Sequence, residues 1–589
     1  MHGSHGRILS IDCTSRTFAI RPTPDAVFAS LLGGKGLATR LLLDENPPGV
    51  DPLGPDNRLI FATGPLCHSP LWGASRYGVF TKSPLTGLYC ESYSGGATPQ
   101  AVDATGFDAI ILHGAASAPT ALSIHPDGCA FHDAAALWGM DTYEAEEEAI
   151  ARFGLRAPGY CRPRAVVIGP AGENLVRCAI IANDRWRCAG RAGVGAVMGA
   201  KRVKAVVFQG GQRRPLADPD GVAAFARAMR ADSFDAPSAK AFRGMGTTGM
   251  VSITNAQHTF PTRYWAQGQA AHWERVNGET LHREHTVAAH ACPHCFMACG
   301  RHTTIQAGRH AGLTMLGPEY ETLFAFGGLC MVADVGEITW LNDLCDRLGL
   351  DTISAGNLCA FAMEAAAQGK LDIPLAWGDA EATAALLRGM AVRSGPGAML
   401  ADGIVPAARA LGMEDTAVHV KGLDLPGYDP RVLKGMGLTY AISPRGACHL
   451  RATVLRAELS GQADPAATEG KAALVIDFED RHILFDTLIL CRFFRDIYTW
   501  EPLGQAIALA TGLDGSRAAI QAMAGRISAM TRRFNIREGW TPAMDRLPAR
   551  LTREALPSGH AVTEAEVAAM VREYYALRGW SGDGVPLGA

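Results

Sequence analysis

Three cysteines within eight residues constrain this chain more than any other feature. The stretch "HACPHCFMACGRHT", residues 290–303, sets Cys292, Cys295 and Cys299 in a C-x2-C-x3-C array. Thiolates this close call for a metal, and the fold has to bend a short loop around it. Zinc would take a second ligand pair a dozen or so residues on; His302 and His310 follow, with His290 and His294 alongside. The spacing also matches iron–sulfur usage, in which a fourth cysteine often comes from far along the chain. Cys330, Cys345, Cys359, Cys448 and Cys491 are the downstream candidates. Spacing alone leaves both metals open.

The remaining cysteines narrow the setting. Fifteen is an odd number, and they are scattered through the chain, as expected of reduced, buried thiols in a cytoplasmic protein. The amino terminus, "MHGSHGRILSIDC", lacks the basic and apolar regions of a signal peptide. No apolar run reaches the roughly 18 residues of a membrane helix. A net charge of −3 without a long basic run argues against a nucleic-acid partner. At 589 residues there is room for three or four domains.

Local patterning changes along the chain. Up to about residue 210, short apolar runs such as "NRLIFATGPL", "SRYGVFTKSPLTG" and "DAIILHGAAS" close on Gly, Pro or Asp, and "GRILSIDCTSRTFAIRP" reads as a hairpin. From about 219, helical periodicity takes over in "GVAAFARAMRADS", "PEYETLFAFGGLC" and "VGEITWLNDLCDRLGL". A Pro/Gly-rich crossing at 419–435 separates two helical parts. The expected architecture is α+β: a β-rich domain over 1–210, then mainly helical domains over 211–418 and 419–589.

Several segments carry chemistry. "DRLGLD" from Asp346 and "DTLILC" from Asp486 share the pattern D-x-x-[GI]-L-[DC], and the second copy ends in Cys491. An acceptor beside apolar residues can hold a heterocycle in a dry pocket. "GASRYGVFTKSPLTG" offers Arg76 and Lys82 and leads into "YSGG" at 93–96. "NDRWRCAGRAGVGAVMGAKR" offers Asn183, Arg185, Arg191 and glycines whose N–H groups could cradle phosphate, although neither the Walker nor the dinucleotide spacing is present. Glu319 and Glu321 in "GPEYETLFAFGG" and His449 in "SPRGACHLRAT" are acid/base candidates in apolar surroundings.

Together these blocks resemble the aldehyde:ferredoxin oxidoreductases, the tungsten or molybdenum bis-pyranopterin enzymes. The resemblance runs nearly end to end, adding "GGKGLATRLL" at 33–42, "VKGLDLPGYDPR" and the tail "RRFNIREGWTPAMDRLPAR…EYYALRGW". It implies a [4Fe–4S] cluster on Cys292, Cys295, Cys299 and Cys491. It implies a tungsten or molybdenum bis-pyranopterin, with a magnesium ion bridging the pterin phosphates as a further expectation. Pterin contacts are expected from Arg76, Tyr93, Gly95, Gly96, Asn183, Arg185, Arg191, Gly193, Gly195, Asp346, Gly349, Leu350, Asp351, Asp486 and Leu490. The chain departs from the family pattern at Ile489, where the second motif usually has Gly. Glu321 (or Glu319) and His449 match the acid/base pair. The implied reaction is oxidation of an aldehyde to the carboxylic acid, with electrons passing through the cluster to ferredoxin or a ferredoxin-like subunit. The alternative is a catalytic subunit of a larger complex, such as an aromatic acyl-CoA reductase. Both homodimers and hetero-oligomers occur in the family.

Overall fold

A computed structural model describes residues 1–588. The first 210 residues fold into two six-stranded sheets stacked face to face. In the first, the strands run in the order Thr17–Pro22, Arg7–Asp12, Ala109–His113, Leu59–Ala62, Tyr77–Lys82, Tyr89–Ser94. The hairpin read from "GRILSIDCTSRTFAIRP" forms with Arg7 opposite Pro22 and Asp12 opposite Thr17. In the second sheet the order is Arg187–Ala189, Ile181–Asn183, Arg164–Val167, Val203–Phe208, Thr120–His125, Gly128–Asp133.

The central strands of each sheet are buried on both faces, which explains runs such as "LIFA" and "VKAVVF" that show no polar alternation. Leu9, Phe61, Val79 and Ile110 meet Leu122, Val166, Val206 and Phe208 between the sheets. The outer face of the first sheet is covered by helix Gly34–Glu45 and by Phe534 of helix Arg517–Arg537. Helix Thr142–Phe153 covers the second through Ala145 and Ala149.

The rest of the chain is mainly helical, built around two apolar clusters. One runs across position 418, taking Leu323, Phe326, Leu358 and Leu387 together with Tyr440, Val475 and Tyr574. The other joins Phe28, Leu66 and Leu71 of the β-rich part to Phe296, Leu488, Phe494 and Ile527. A three-stranded meander, Thr286–His290, Gly300–Thr304 and Thr314–Leu316, interrupts the helices. Helical periodicity upstream and downstream gave no hint of it. Its first turn, 291–299, is the cysteine loop. No helix among the described residues is long and apolar enough to cross a membrane.

Candidate active site

The two D-x-x-[GI]-L-[DC] segments form the same local structure. Helix Val335–Leu348 ends on Gly349 at φ 79°, and helix Lys471–Leu488 ends on Ile489 at φ 66°. In each, the following leucine N–H turns back to the helix: Leu350 donates to the Cys345 carbonyl at 2.9 Å, Leu490 to the Phe485 carbonyl at 2.8 Å. A left-handed cap is routine for glycine and costly for a β-branched residue. Ile489 is held there by complete burial, with its side chain against Gly64.

The second cap delivers Cys491 to the cysteine loop. Cys491 N–H donates to the Gly73 carbonyl at 2.9 Å, and Gly73 N–H donates to the His294 carbonyl at 3.1 Å, so one glycine ties both segments together. Gly73 has φ 82°, and a Cβ there would lie 2.6 Å from the Phe494 ring. Gly96 N–H points at Cys292 Sγ, 3.3 Å away, and Arg76 Nη2 lies 3.2 Å from Cys491 Sγ. Burial raises the Cys491 thiol pKa, but the Arg76 guanidinium, the Phe493 N–H and the Arg187 charge together leave the group below its ordinary value. Burial pushes Cys295 up to about 12 and also raises Cys299, which Arg187 opposes.

The histidines that spacing offered to zinc have other surroundings. His310 stacks on Trp340 and lies 3.2 Å from Glu337, His302 packs against Trp186, and His294 against Trp72. Among the described residues no three His, Cys, Asp or Glu side chains are placed to hold one metal ion. Of the remote cysteines, Cys330 bonds the Gly356 carbonyl, Cys345 and Cys359 are buried in the helical core, and Cys448 lies 2.9 Å from Arg445 Nη2.

Beside Cys491 lies a cavity of about 320 Å³. It gathers Arg76, Tyr93, Arg191, Glu319, Glu321, Asp351, His449, Asp486, Leu490 and Cys491, residues separated by up to several hundred positions in the chain. Five arginines line it, Arg76, Arg191, Arg445, Arg451 and Arg492, against four carboxylates. Arg191 is held by Asp351 and by the carbonyls of Ala447 and Asp424. Asp486 receives Arg451 at 2.7 Å and Arg492 at 2.5 Å, and Arg451 also reaches Glu91, which Lys35 pairs at 2.8 Å. Sequence inspection missed Arg445, Arg451, Arg492 and the Glu91–Lys35 pair. An arginine in "RGACHLR" or "CRFF" looks like any solvated cation until the helices converge. A larger apolar groove of about 760 Å³, between Leu348, Leu375 and Leu386, contains no cysteine or carboxylate.

Glu321 and His449 lie side by side in the lining of this cavity, 3.6 Å apart, too far for a hydrogen bond. Burial raises the Glu321 pKa to about 8; Gly427 N–H, donating to Oε2 at 3.0 Å, and the Arg191 charge restrain it. Burial and then Arg191, Arg445, Arg451 and Arg495 drive His449 well below its usual value. At neutral pH the pair is therefore mostly a carboxylic acid and a neutral imidazole, and the contact is not an ion pair. Glu321 Oε1 and His449 Nδ1 have no partner in the protein. Glu321 sits in a short helix, Tyr320–Thr322, that widens into a π-turn over Leu323–Leu329, a distortion often found at functional sites. Glu319 instead accepts from Thr247 and lies toward Cys299 and Arg187.

Other expected contacts support the cavity from behind. Asn183 accepts from Tyr77 and Ser94 and donates to the Gly95 carbonyl, fixing the "YSGG" turn. Arg185 is half exposed and pairs with Glu147, away from the cavity. Gly193 and Gly195 allow backbone to approach the Arg177 and Ile180 carbonyls, where a Cβ would lie 2.4 and 2.2 Å away. Asp346 is half-buried, bonded to Asn342, and its pKa is raised by desolvation. Asp351 caps helix Thr352–Ala367 as well as facing the cavity.

Two family profiles match this chain. The aldehyde ferredoxin oxidoreductase N-terminal domain matches residues 8–210, and domains 2 and 3 match residues 224–589. The chain belongs to the aldehyde ferredoxin oxidoreductase family. It is an oxidoreductase of that type. The tungsten-containing aldehyde ferredoxin oxidoreductase of Thermococcus kodakarensis is 35% identical over 99% of this chain and 97% of its own length. The Pyrococcus furiosus protein of the same description is 34% identical with the same coverage. The family fold is also evident in the active-site complex BamBC of benzoyl coenzyme A reductase with 1,5-dienoyl-CoA, at 24% identity and a TM-score of 0.84 over 99% of this chain and 96% of that one.

The residues present fit the groups the family carries. Cys491 is a buried thiol with a lowered pKa, tied through Gly73 to the loop holding the other three cysteines. The cavity wall presents buried, unpartnered Nε atoms on Arg445, Arg451 and Arg492, suited to an anionic cofactor.

Proposed function

We propose that this enzyme oxidises an aldehyde to the carboxylic acid, using a tungsten or molybdenum bis-pyranopterin and a [4Fe–4S] cluster, with a ferredoxin-type acceptor. The observation that carries the reading is the single cavity in which Glu321 and His449 face the pterin-type turns and Cys491. When bound, the metal accepts two electrons and the cluster hands them on singly, as a one-electron acceptor needs. Cys292, Cys295, Cys299 and Cys491 would hold the cluster. The arginine wall, Asp351, Asp486, Leu490 and the "YSGG" turn would hold the pterins, and magnesium would offset the charge of their phosphates.

This chain's own residues set up the hydration of the aldehyde. Glu321, once deprotonated, takes a proton from water through its unpartnered Oε1, turning that water into the nucleophile for the carbonyl carbon. His449, beside Glu321, donates a hydrogen bond from its neutral ring to the carbonyl oxygen as negative charge grows there. Burial keeps bulk water from competing. Glu319, engaged by Thr247 near Cys299, is not the base in this reading.

The test is product formation from a panel of aldehydes by anaerobically purified, tungsten-replete enzyme, with ferredoxin or a viologen as acceptor. Wild type is expected to yield the carboxylate. Glu321→Gln, with iron and pterin content intact, should lose roughly 10²-fold or more in turnover. Full activity in that variant would remove Glu321 from the mechanism. The likeness of fold to a benzoyl coenzyme A reductase complex supports a second reading, a catalytic subunit acting on an aromatic acyl-CoA. Turnover of such a thioester without any aldehyde activity would favour it.

A further inference from the structure

Three arginines stand by the cysteine constellation, and they are engaged differently. Arg76 meets Cys491 Sγ at 3.2 Å. Arg301 commits its guanidinium to backbone around the cysteine loop. Its Nε donates to the Gly300 carbonyl at 2.9 Å, Nη1 to the Arg243 and Gly244 carbonyls at 2.9 and 2.6 Å, and Nη2 to those of Phe242 and Ala298. Arg187 has no such partners: its Nη2 is buried without a hydrogen bond to the described protein. The carboxylates near it are engaged elsewhere, Asp184 by Arg164 at 3.1 Å, Glu146 by backbone N–H groups and Glu319 by Thr247.

Two glycines show where the side chain runs. A Cβ on Gly96 would lie 3.4 Å from Arg187 Cγ, and one on Gly300 would lie 3.2 Å from Arg187 Nη2. Gly96 N–H points at Cys292 Sγ, and Gly300 directly follows Cys299. The stem therefore passes the Cys292 end of the cysteine loop, and the head rests against its Cys299 end. Burial works against the charge; Cys292, Cys299 and then Glu319 favour it, and Arg76 opposes it. The backbone is fixed as well. Arg187 pairs with Asn183 across a tight hairpin in which Asp184 and Arg185 take φ of 48° and 63°. Glu146 accepts both of their N–H groups, at 2.7 and 2.6 Å, and Asp184 accepts those of Ala97 and Thr98, at 2.8 and 2.9 Å, next to Gly96. Left-handed non-glycine residues are costly and persist where the surroundings over-determine them. Here they hold a guanidinium with a free donor against the thiol groups. A buried donor left unanswered in this way marks the place of a bound group.

We propose that Arg187 raises the reduction potential of the iron–sulfur centre by holding a fixed positive charge and a hydrogen-bond donor on its Cys292–Cys299 side. The inference rests on the cluster reading above and is independent of which substrate the cavity takes. One electron added at this centre makes it one unit more negative; aldehyde oxidation supplies that electron in turnover, and dithionite supplies it in the test. A guanidinium shielded from water stabilises the more negative form, and Nη2 donates to a sulfur there, the two influences by which a protein tunes such a centre. Arg76 acts at Cys491 on the cavity side, and Arg187 acts at the other end of the constellation.

The experiment is a potentiometric dithionite titration of anaerobically purified enzyme, followed by the paramagnetic signal of the reduced iron–sulfur centre. Wild type, Arg187→Met and Arg187→Lys are compared, with iron content measured for each. Arg187→Met is expected to weaken reduction on the order of tenfold, about 59 mV toward lower potential for a one-electron couple. Arg187→Lys keeps the charge and should recover most of that difference. A wild-type potential in Arg187→Met with iron content intact would overturn the inference, and so would equal shifts in the Met and Lys variants, which would trace the effect to packing. If Arg187→Met loses its iron, Arg187→Gln is titrated in its place. A lowered potential there upholds the inference; an unchanged potential, or loss of iron again, rejects it, the latter assigning Arg187 to retention of the cluster. Wild type with no iron–sulfur signal at all would sink the cluster reading itself, and this inference with it. Because dithionite drives the titration, failure to turn over any aldehyde leaves the result intact.

Discussion

In the proposed mechanism Glu321 concentrates the chemistry in one carboxyl group. Its pKa near 8 comes from burial, and only the Gly427 N–H and the Arg191 charge hold it down. A general base must first lose its proton, so kcat/KM should rise with pH and reach half its plateau near 8. Glu321→Gln should abolish that limb, and a flat profile in wild type would contradict the assignment. The same shift affects stability. The folded form binds the Glu321 proton more tightly than the unfolded chain does, so this contribution is present below about pH 4.5 and lost as pH rises toward 8. Thermal melts should therefore show Glu321→Gln gaining on wild type across that window. His449 acts in the opposite direction. Held neutral in the fold, it favours unfolding as pH falls below its ordinary range.

At the level of elements, the two helix caps explain how one short pattern is used twice. Gly349 takes the left-handed cap without strain, whereas Ile489 takes it at a cost of about 1–2 kcal/mol. Its fully buried side chain offsets this, since truncating a buried isoleucine costs roughly 2–5 kcal/mol. Ile489→Gly should therefore lower stability by about 1–3 kcal/mol on balance, read as a lower urea midpoint. A stabilised variant would mean that the strain outweighs the packing. The pattern and its departure at Ile489 were legible in the sequence, because a turn is a local object set by neighbouring residues. So was the cysteine array. The meander that carries its loop was not, because strands of 5, 5 and 3 residues leave little periodicity between long helices. Nor was the arginine wall legible. Arg445, Arg451 and Arg492 acquire their role only when helix Lys471–Leu488 meets the strand Tyr89–Ser94 through Asp486 and Glu91.

On the scale of the whole molecule, a double-sheet domain and a helical body meet where the chemistry lies. The first sheet contributes Arg76 and the "YSGG" turn, and the helical body contributes Glu321, His449 and both caps. The apolar cluster that joins Phe28 and Leu66 to Phe494 and Ile527 fixes the two parts against each other beside Cys491. Cys491 thus belongs both to the cavity wall and to the cysteine constellation, and Gly73 connects its backbone to the loop that bears Cys292, Cys295 and Cys299. The central claim is that oxidation in the cavity delivers electrons through that junction. The most direct measurement is the absorbance and paramagnetic signal of the iron–sulfur centre in anaerobic, cofactor-replete enzyme mixed with an aldehyde, with no acceptor present. The account predicts that the aldehyde reduces the cluster. A cluster that dithionite reduces but no aldehyde does would contradict it.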